Sequence, residues 1–163
     1  MDTLYKSGIP LTKGELMAGI CFHLSIPSLD LGATERWYVE GLGCRAGRRS
    51  HQALILDFGG HQLVAQLLPG EPPTPQPGIY PRHFGMVMQK LSDWEEIRNR
   101  AEARQLVFGV QPKCRFEGTQ LEHRTFFLID PANNWLEFKY YSNPQAILGL
   151  TNENFVGDSD LRT

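Results

Sequence analysis

The sequence predicts an α+β fold in which two βαβββ modules are arranged around a shared cleft. The order strand, helix, strand, strand, strand can be read twice along the chain, and a proline-rich segment separates the two copies. A histidine also occupies the same place in the first strand of each copy. The predicted boundaries are an N-terminal extension (1–18), a first module (19–68), a linker (69–81), a second module (82–141) and a C-terminal tail (142–163).

The first module is predicted from its apolar pattern and its turn residues. An apolar-rich strand over 19–27 is closed by Pro27. Helical spacing of apolar residues follows over 30–42, and Gly43 marks the end of that helix. Gly59-Gly60 is a strong turn signal and predicts a hairpin. The remaining strands are expected at 45–49, 51–58 and 61–68.

The second module repeats this order. After a strand over 82–88, we predict a helix that begins at Ser92 and ends near Gln105, because Glu95 completes a capping box with Ser92. The cluster 130–134 is rich in turn-forming residues. Further strands are expected at 112–116, 122–129 and 135–141.

The segments outside the modules are predicted to be irregular. Six prolines within 69–81 exclude a helix or a central strand, so this linker should be extended. The tail after residue 141 has little periodicity, and we expect it to pack loosely. Because each module is one sheet with a helix on one face, its other face must be covered or must line a cavity.

Composition indicates a cytoplasmic protein that acts on a small molecule. A net charge of −2 without a basic run gives no reason to expect binding to nucleic acid. The three cysteines are far apart and have no zinc-site spacing, which fits a reducing compartment. The sequence has neither a signal-peptide pattern nor the roughly 20 apolar residues of a membrane helix.

Strand alternation places polar side chains on the face that the helices do not cover. His23 and His83 fall at equivalent positions of the two first strands, pointing away from the helix. Glu137 lies on the same face in the last strand, and counting back from the two turns aligns Gln66 with it. Two imidazoles and a carboxylate beside open space suit a divalent metal, most typically non-haem Fe(II).

Each of these residues also has an ordinary explanation. A single histidine on a half-buried strand is usually a hydrogen-bonded core or rim residue, and a single strand glutamate is usually exposed to solvent. The repetition of His at one position, and of Glu and Gln at another, is what favours a metal site. Both interpretations stay open on the pattern alone.

The sequence resembles the vicinal oxygen chelate superfamily, which contains glyoxalases, extradiol dioxygenases and fosfomycin- and bleomycin-resistance proteins. The resemblance spans about 19–141, and its closest likeness is to small bacterial dioxygenase-like members. It implies a curled mixed sheet around a metal-binding cleft. The motifs that carry it are HLSIPSLD (23–30), WY (37–38) with GLG (41–43), RHFG (82–85), and FFLIDP (126–131) with NWLEF (134–138).

The resemblance also implies the ligands. His23, His83 and Glu137 match the extradiol dioxygenase set, whereas glyoxalases have a fourth, carboxylate ligand where this alignment puts Gln66. Gln66 is then expected near the metal as a weak ligand or a substrate contact. The implied cofactor is a divalent metal, with Fe(II) favoured and Mn(II), Zn(II) or Ni(II) as alternatives.

The function expected from this resemblance is a dioxygenase acting on a small substrate chelated through adjacent oxygens. The alternatives are a glyoxalase-type lyase or isomerase and a non-catalytic, resistance-type binder of a small ligand. His61 and His123 are the candidates for catalytic acid/base work, although a surface position is the simpler interpretation of each. A homodimer is expected, because open sheet edges favour pairing.

Overall fold

Two four-stranded sheets, each with a helical segment on one face, make up this computed structural model, which describes residues 19–71 and 74–157. The predicted N-terminal extension, residues 72–73 of the linker and residues 158–163 of the tail lie outside the described residues. The first module contains β1 (His23–Ser28), α1 (Leu31–Glu35) continuing into a π-helical segment (Arg36–Leu42), β2 (Arg45–Arg49), β3 (Ala53–Phe58) and β4 (His61–Leu67). The second contains β5 (Phe84–Met88), α2 (Leu91–Ala103), β6 (Val107–Arg115), β7 (His123–Ile129) and β8 (Trp135–Tyr141), followed by a 3₁₀ turn (Pro144–Ala146).

The strand order confirms the two βαβββ modules. The sheets run β1-β4-β3-β2 and β5-β8-β7-β6, with the first strand of each module parallel to its last and the other neighbours antiparallel. Strands β1 and β5 are therefore edge strands of two separately hydrogen-bonded sheets. No helix within 19–71 and 74–157 is long and apolar enough to cross a membrane.

Local signals account for the elements of the first module. The Asp30 side chain accepts a hydrogen bond from the Ala33 amide at 2.9 Å and so caps α1. The helical segment ends at Gly43, whose φ of 90° is the left-handed conformation that glycine adopts without strain. Gly59 and Gly60 have φ values of 62° and 87° and close the predicted β3–β4 hairpin.

Two predicted boundaries of the second module are wrong. Helix α2 begins at Leu91, and the Ser92 hydroxyl contacts the Asp93 carboxylate instead of capping the helix. Strand β6 begins at Val107, not at residue 112. Its pairing with β7 shifts register twice, so the alternation of apolar residues that would have indicated the strand is interrupted.

The two modules share one core on their helix-covered faces. Tyr38 is fully buried there, and its hydroxyl donates to the Asp130 carboxylate of the second module at 3.0 Å. The Arg100 guanidinium donates to the Gly41 carbonyl at 2.7 Å, which ties α2 to the π-helical segment. These contacts fix the relative position of the sheets and leave their opposite faces for other uses.

Strands β1 and β5 meet at the junction between the sheets. One cavity there is lined by Phe22 and Leu24 together with Phe84 to Met86, and another by Leu24 to Pro27 together with Arg82 to Phe84.

The described tail residues pack loosely, as the sequence predicted. Residues 151–156 are exposed, and Leu148 and Val156 are 94% and 82% exposed. The ring of Phe155 lies 6.3 Å from that of Phe116, and a Cβ placed on Gly157 would meet the hydroxyl of Tyr80. Phe155 and Gly157 therefore contact the segments that precede β7 and β5.

Candidate metal centre

His83 and Glu137 come together on the open face of the second sheet. Glu137 lies at the middle of β8, opposite Gly85 of the neighbouring β5, and His83 immediately precedes β5. The Nε2 atom of His83 is 3.2 Å from Oε2 of Glu137. Sequence alternation predicted that both side chains share this face, and the structure places them in contact.

Gly85 makes this close approach available. A Cβ atom on Gly85 would overlap the backbone carbonyl oxygen of Glu137. Only glycine lets β5 lie this close to β8 beside the carboxylate. The glycine thus sets the spacing between the strand that carries His83 and the strand that carries Glu137.

The Glu137 carboxylate is buried and held from three sides. The side chain is 5% exposed, and its Oε1 accepts a hydrogen bond from the Thr125 hydroxyl at 2.7 Å. Lys139 Nζ lies 3.0 Å from Oε2, the same oxygen that faces His83. Burial would raise the pKa of Glu137, but the His83 hydrogen bond, the Lys139 charge and the Thr125 hydroxyl outweigh it and lower that pKa to about 2. Glu137 is therefore ionised.

The hydrogen bond at Nδ1 of His83 determines the protonation state of Nε2, the ring nitrogen that faces the carboxylate. Nδ1 lies 2.7 Å from the Ile79 carbonyl oxygen, so it must carry a proton and donate. In the neutral ring, Nε2 is then a lone pair directed at Glu137. Without a cation between them this arrangement favours protonation, and the hydrogen bond to Glu137 raises the pKa of His83.

The donor set fits a divalent metal. Two ligand atoms that each lie about 2.1 Å from one metal at roughly a right angle are about 3 Å apart, and the Nε2–Oε2 separation is 3.2 Å. The backbone acceptor on His83 Nδ1 and the hydroxyl donor on Glu137 are the supporting contacts that metal ligands commonly have.

His23, the third predicted ligand, does not join this pair within one chain. Among residues 19–71 and 74–157, no group of three or more His, Cys, Asp and Glu side chains is close enough to hold a metal. The exposed His23 ring donates from Nδ1 to the Gln62 amide oxygen at 2.7 Å, which leaves its Nε2 as a lone pair. This tautomer leaves Nε2 free to bind a metal, but the ring is hydrogen-bonded to β4 of its own sheet and does not reach Glu137.

Gln66 is not at the position equivalent to Glu137 in the observed register. Ser25 pairs with Val64 in the first sheet, as Gly85 pairs with Glu137 in the second. By the same register Gln66, which is exposed, corresponds to Lys139. Counting from the turns gave a different match because the β3–β4 turn is shorter than the β7–β8 turn.

The two predicted acid/base histidines differ in their burial and in which ring nitrogen is hydrogen-bonded. His61 accepts a hydrogen bond at Nδ1 from the Phe22 amide at 3.3 Å, and alternation puts it on the helix-covered side with Leu63. His123 is 4% exposed, against the expectation of a surface residue, and its Nδ1 donates to the Leu121 carbonyl at 2.9 Å. Its Nε2 is a buried lone pair that has no hydrogen-bond partner among residues 19–71 and 74–157.

His123 belongs to the same open face as Glu137. It pairs with Arg115 on β6 and Tyr141 on β8, and its ring lies 4.7 Å from the Tyr141 ring. Burial lowers the pKa of His123, so its ring is neutral at neutral pH and its Nε2 can accept a proton or a hydrogen bond.

Sequence reasoning missed Thr125, Lys139 and Arg115. Alternation already placed Lys139 on the face of Glu137, but a strand lysine is ordinarily a solvated residue. Thr125 and Arg115 could be assigned only after the register of β6, β7 and β8 was known. Register depends on the turns and the core, which local pattern does not reveal.

Comparisons with known proteins agree with the fold. The sequence profile of the Glyoxalase/Bleomycin resistance protein/Dioxygenase superfamily matches residues 21–138. Among solved structures, a glyoxalase/bleomycin resistance protein/dioxygenase from Alicyclobacillus acidocaldarius is 40% identical and has a TM-score of 0.74, covering 79% of this chain and 96% of its own. No curated protein matches the sequence.

More distant structures share the fold alone. Lactoylglutathione lyase from Agrobacterium tumefaciens is 17% identical, with a TM-score of 0.56 over 75% of this chain and 93% of its own. The fosfomycin resistance protein FosX from Listeria monocytogenes is 16% identical, with a TM-score of 0.60 over 80% of this chain and 100% of its own.

Proposed function

The chain belongs to the Glyoxalase/Bleomycin resistance protein/Dioxygenase superfamily, and from this premise we propose that it is a divalent-metal-dependent dioxygenase. Its substrate would be a small molecule that binds the metal through two adjacent oxygens. The observation that carries the proposal is the facing pair of His83 Nε2 and Glu137 Oε2, 3.2 Å apart. The pair is fixed from behind by the Ile79 carbonyl and the Thr125 hydroxyl.

His23 is the proposed third ligand. His23 contacts Gln62, and Gln62 lines the same cavity at the sheet junction as Gly85, which pairs in register with Glu137. Its ring is exposed and held by one hydrogen bond to Gln62, so a rotation of the side chain is enough to redirect Nε2. The proposed site would thus have two ligands already in contact, His83 and Glu137, and a third, His23, that reaches the metal by turning.

Three protein ligands favour Fe(II) over the alternative metals Mn(II), Zn(II) and Ni(II). Bound at two imidazoles and one carboxylate, Fe(II) supplies open positions for a chelating substrate and for O₂. The register supports three ligands and not four, because the residue equivalent to Glu137 in the first sheet is Val64, an apolar side chain that cannot ligate. This favours the dioxygenase over a glyoxalase-type lyase with four ligands.

His123 is the proposed proton acceptor. Its neutral Nε2 is on the same face as Glu137 and has no hydrogen-bond partner among the described residues. A base of this kind is suited to a substrate hydroxyl. His61 is less suited, since its Nδ1 lone pair is already used by the Phe22 amide.

Metal binding tests the proposal directly. Protein purified without oxygen is titrated with Fe(II) by calorimetry, and nitric oxide is then added as a stand-in for O₂ and followed by electron paramagnetic resonance. We expect one Fe(II) per chain and an iron–nitrosyl signal. His83→Ala and Glu137→Gln should each abolish binding, and His23→Ala should weaken it at least tenfold.

Gln66→Ala and His61→Ala are the matched controls. Both should keep wild-type affinity for Fe(II), because neither residue is among the three proposed ligands. If Gln66→Ala removed metal as fully as His83→Ala, the four-ligand, lyase-type alternative would be the better one. If the wild type bound no divalent metal, a non-catalytic ligand-binding protein would replace the enzyme proposal.

A further inference from the structure

We propose that Lys139 is an anion-binding residue of the metal centre, so that the substrate is a small oxyanion that contacts both the metal and the Lys139 ammonium. This inference rests on the proposed metal site and adds the charge class of its substrate. It starts from the position of Lys139, which is two residues beyond Glu137 on the same strand face.

Lys139 and a metal would compete for the same carboxylate oxygen. Lys139 Nζ lies 3.0 Å from Oε2 of Glu137, and His83 Nε2 faces that oxygen at 3.2 Å. Oε1 is already engaged by the Thr125 hydroxyl. In the absence of a metal, the Lys139 ammonium supplies a permanent counter-charge to the buried carboxylate, beside the titratable ring of His83.

A divalent ion bound to this carboxylate would change the net electrostatic force on the Lys139 ammonium from attraction to repulsion. At equal distance, a double positive charge repels the ammonium twice as strongly as one carboxylate attracts it. The four-carbon stem of lysine lets its head group swing away while its base remains in the strand. The divalent ion, the Glu137 carboxylate and the Lys139 ammonium together would carry a net charge of about +2. A dianionic substrate with an oxygen that contacts both the metal and the ammonium would offset this charge.

A second cation on the same face strengthens the preference for anions. Arg115 is 7% exposed, pairs with His123 in register, and places its guanidinium 5.9 Å from the centre of the Phe127 ring. Phe127 in turn contacts His83, with ring centres 5.3 Å apart. Lys139 and His83 are both about a quarter exposed, so solvent and small ligands reach the space above Glu137.

Oxalate, a small dianion with adjacent oxygens, is a suitable probe. Its dissociation constant is measured by calorimetry on Mn(II)-loaded wild type, Lys139→Met, Lys139→Arg and Lys90→Met. Lys90→Met is the matched control, because it removes the same charge from the exposed residue before α2. Loss of a hydrogen bond to a charged group should weaken oxalate binding to Lys139→Met roughly tenfold or more.

Titrations with Mn(II) alone distinguish a failure of the anion-binding role of Lys139 from a failure of the proposed metal site. Lys139→Met should bind Mn(II) at least as tightly as the wild type, since a competing cation is gone, and Lys139→Arg should recover most of the oxalate affinity. Unchanged oxalate affinity in Lys139→Met, an equal loss in Lys90→Met, or loss of Mn(II) from Lys139→Met would overturn the anion-binding role. Failure of the wild type to bind Mn(II) would overturn the metal site itself.

Discussion

A proton on Nε2 of His83 would occupy the place proposed for the metal. Because the Ile79 carbonyl fixes the proton on Nδ1, the contact between Nε2 and the carboxylate is attractive only when the ring is charged. In metal-free protein the pair should therefore stabilise the fold over a limited pH range. A bound metal would replace this proton, so metal affinity should rise with pH.

The first prediction follows from the pKa shifts of this pair. The pKa of Glu137 is lowered from 4.5 to about 2, so its contribution is present above pH 4.5 and is lost as the pH falls towards 2. The pKa of His83 is raised from 6.5, so its contribution is present below pH 6.5 and is lost as the pH rises through the folded value. In the presence of a chelator, His83→Gln should lower the free energy of unfolding by about 1–3 kcal/mol between pH 4.5 and pH 6.5. The loss should be smaller at alkaline pH.

Urea unfolding of both proteins from pH 4 to pH 9 measures this difference. The exposed His51→Gln is the control and should change the free energy of unfolding little at any pH. A His83→Gln cost that stays constant across the range would contradict a charged His83–Glu137 contact.

His123 makes one hydrogen bond, from Nδ1 to the Leu121 carbonyl, while its buried Nε2 has no partner among the described residues. A buried acceptor without a partner costs about 1–3 kcal/mol, and the neighbouring rings of Phe116 and Tyr141 suit an apolar replacement. His123→Phe should therefore be as stable as the wild type or up to about 1 kcal/mol more stable, while it loses the proposed proton acceptor. Chemical unfolding checks this, and a loss above about 2 kcal/mol would show that His123 serves the fold.

At the scale of elements, the β5–β8 contact sets the geometry of the site. Gly85→Ala would push β5 away from the Glu137 backbone, and overpacking of this kind costs about 1–3 kcal/mol. The larger effect should be on Fe(II) affinity, because His83 moves with β5. Gly78→Ala is the control, since a Cβ there meets nothing within 4 Å. Wild-type Fe(II) affinity in a folded Gly85→Ala protein would contradict the proposed role of this contact.

Strand positions were easier to predict than strand partners. The hairpin at Gly59-Gly60 and the last strand, Trp135–Tyr141, agree with the prediction because turn residues and alternation are local signals. Strand β6 was placed too late because its irregular register interrupts the alternation. The equivalence of Gln66 and Glu137 rested on counting, and a difference in turn length was enough to move it by two residues.

At the scale of the molecule, we predict a homodimer. Strands β2 and β6 are the outer edges of the two sheets, and each leaves one row of backbone groups unpaired within the described residues. Such edges favour pairing with another chain. Light scattering at micromolar concentration should give twice the 18.5 kDa mass of the chain, and a monomeric mass would count against the prediction.

The sequence by itself determined the two modules and the shared face of His83 and Glu137. These follow from periodicity and alternation, which act over a few neighbouring residues. Only the tertiary structure decided that Gly85 brings those two side chains together, that Thr125 and Lys139 hold the carboxylate, and that His123 is buried. Those facts depend on strand register and on how the sheets meet, which are set by packing between residues far apart in the chain.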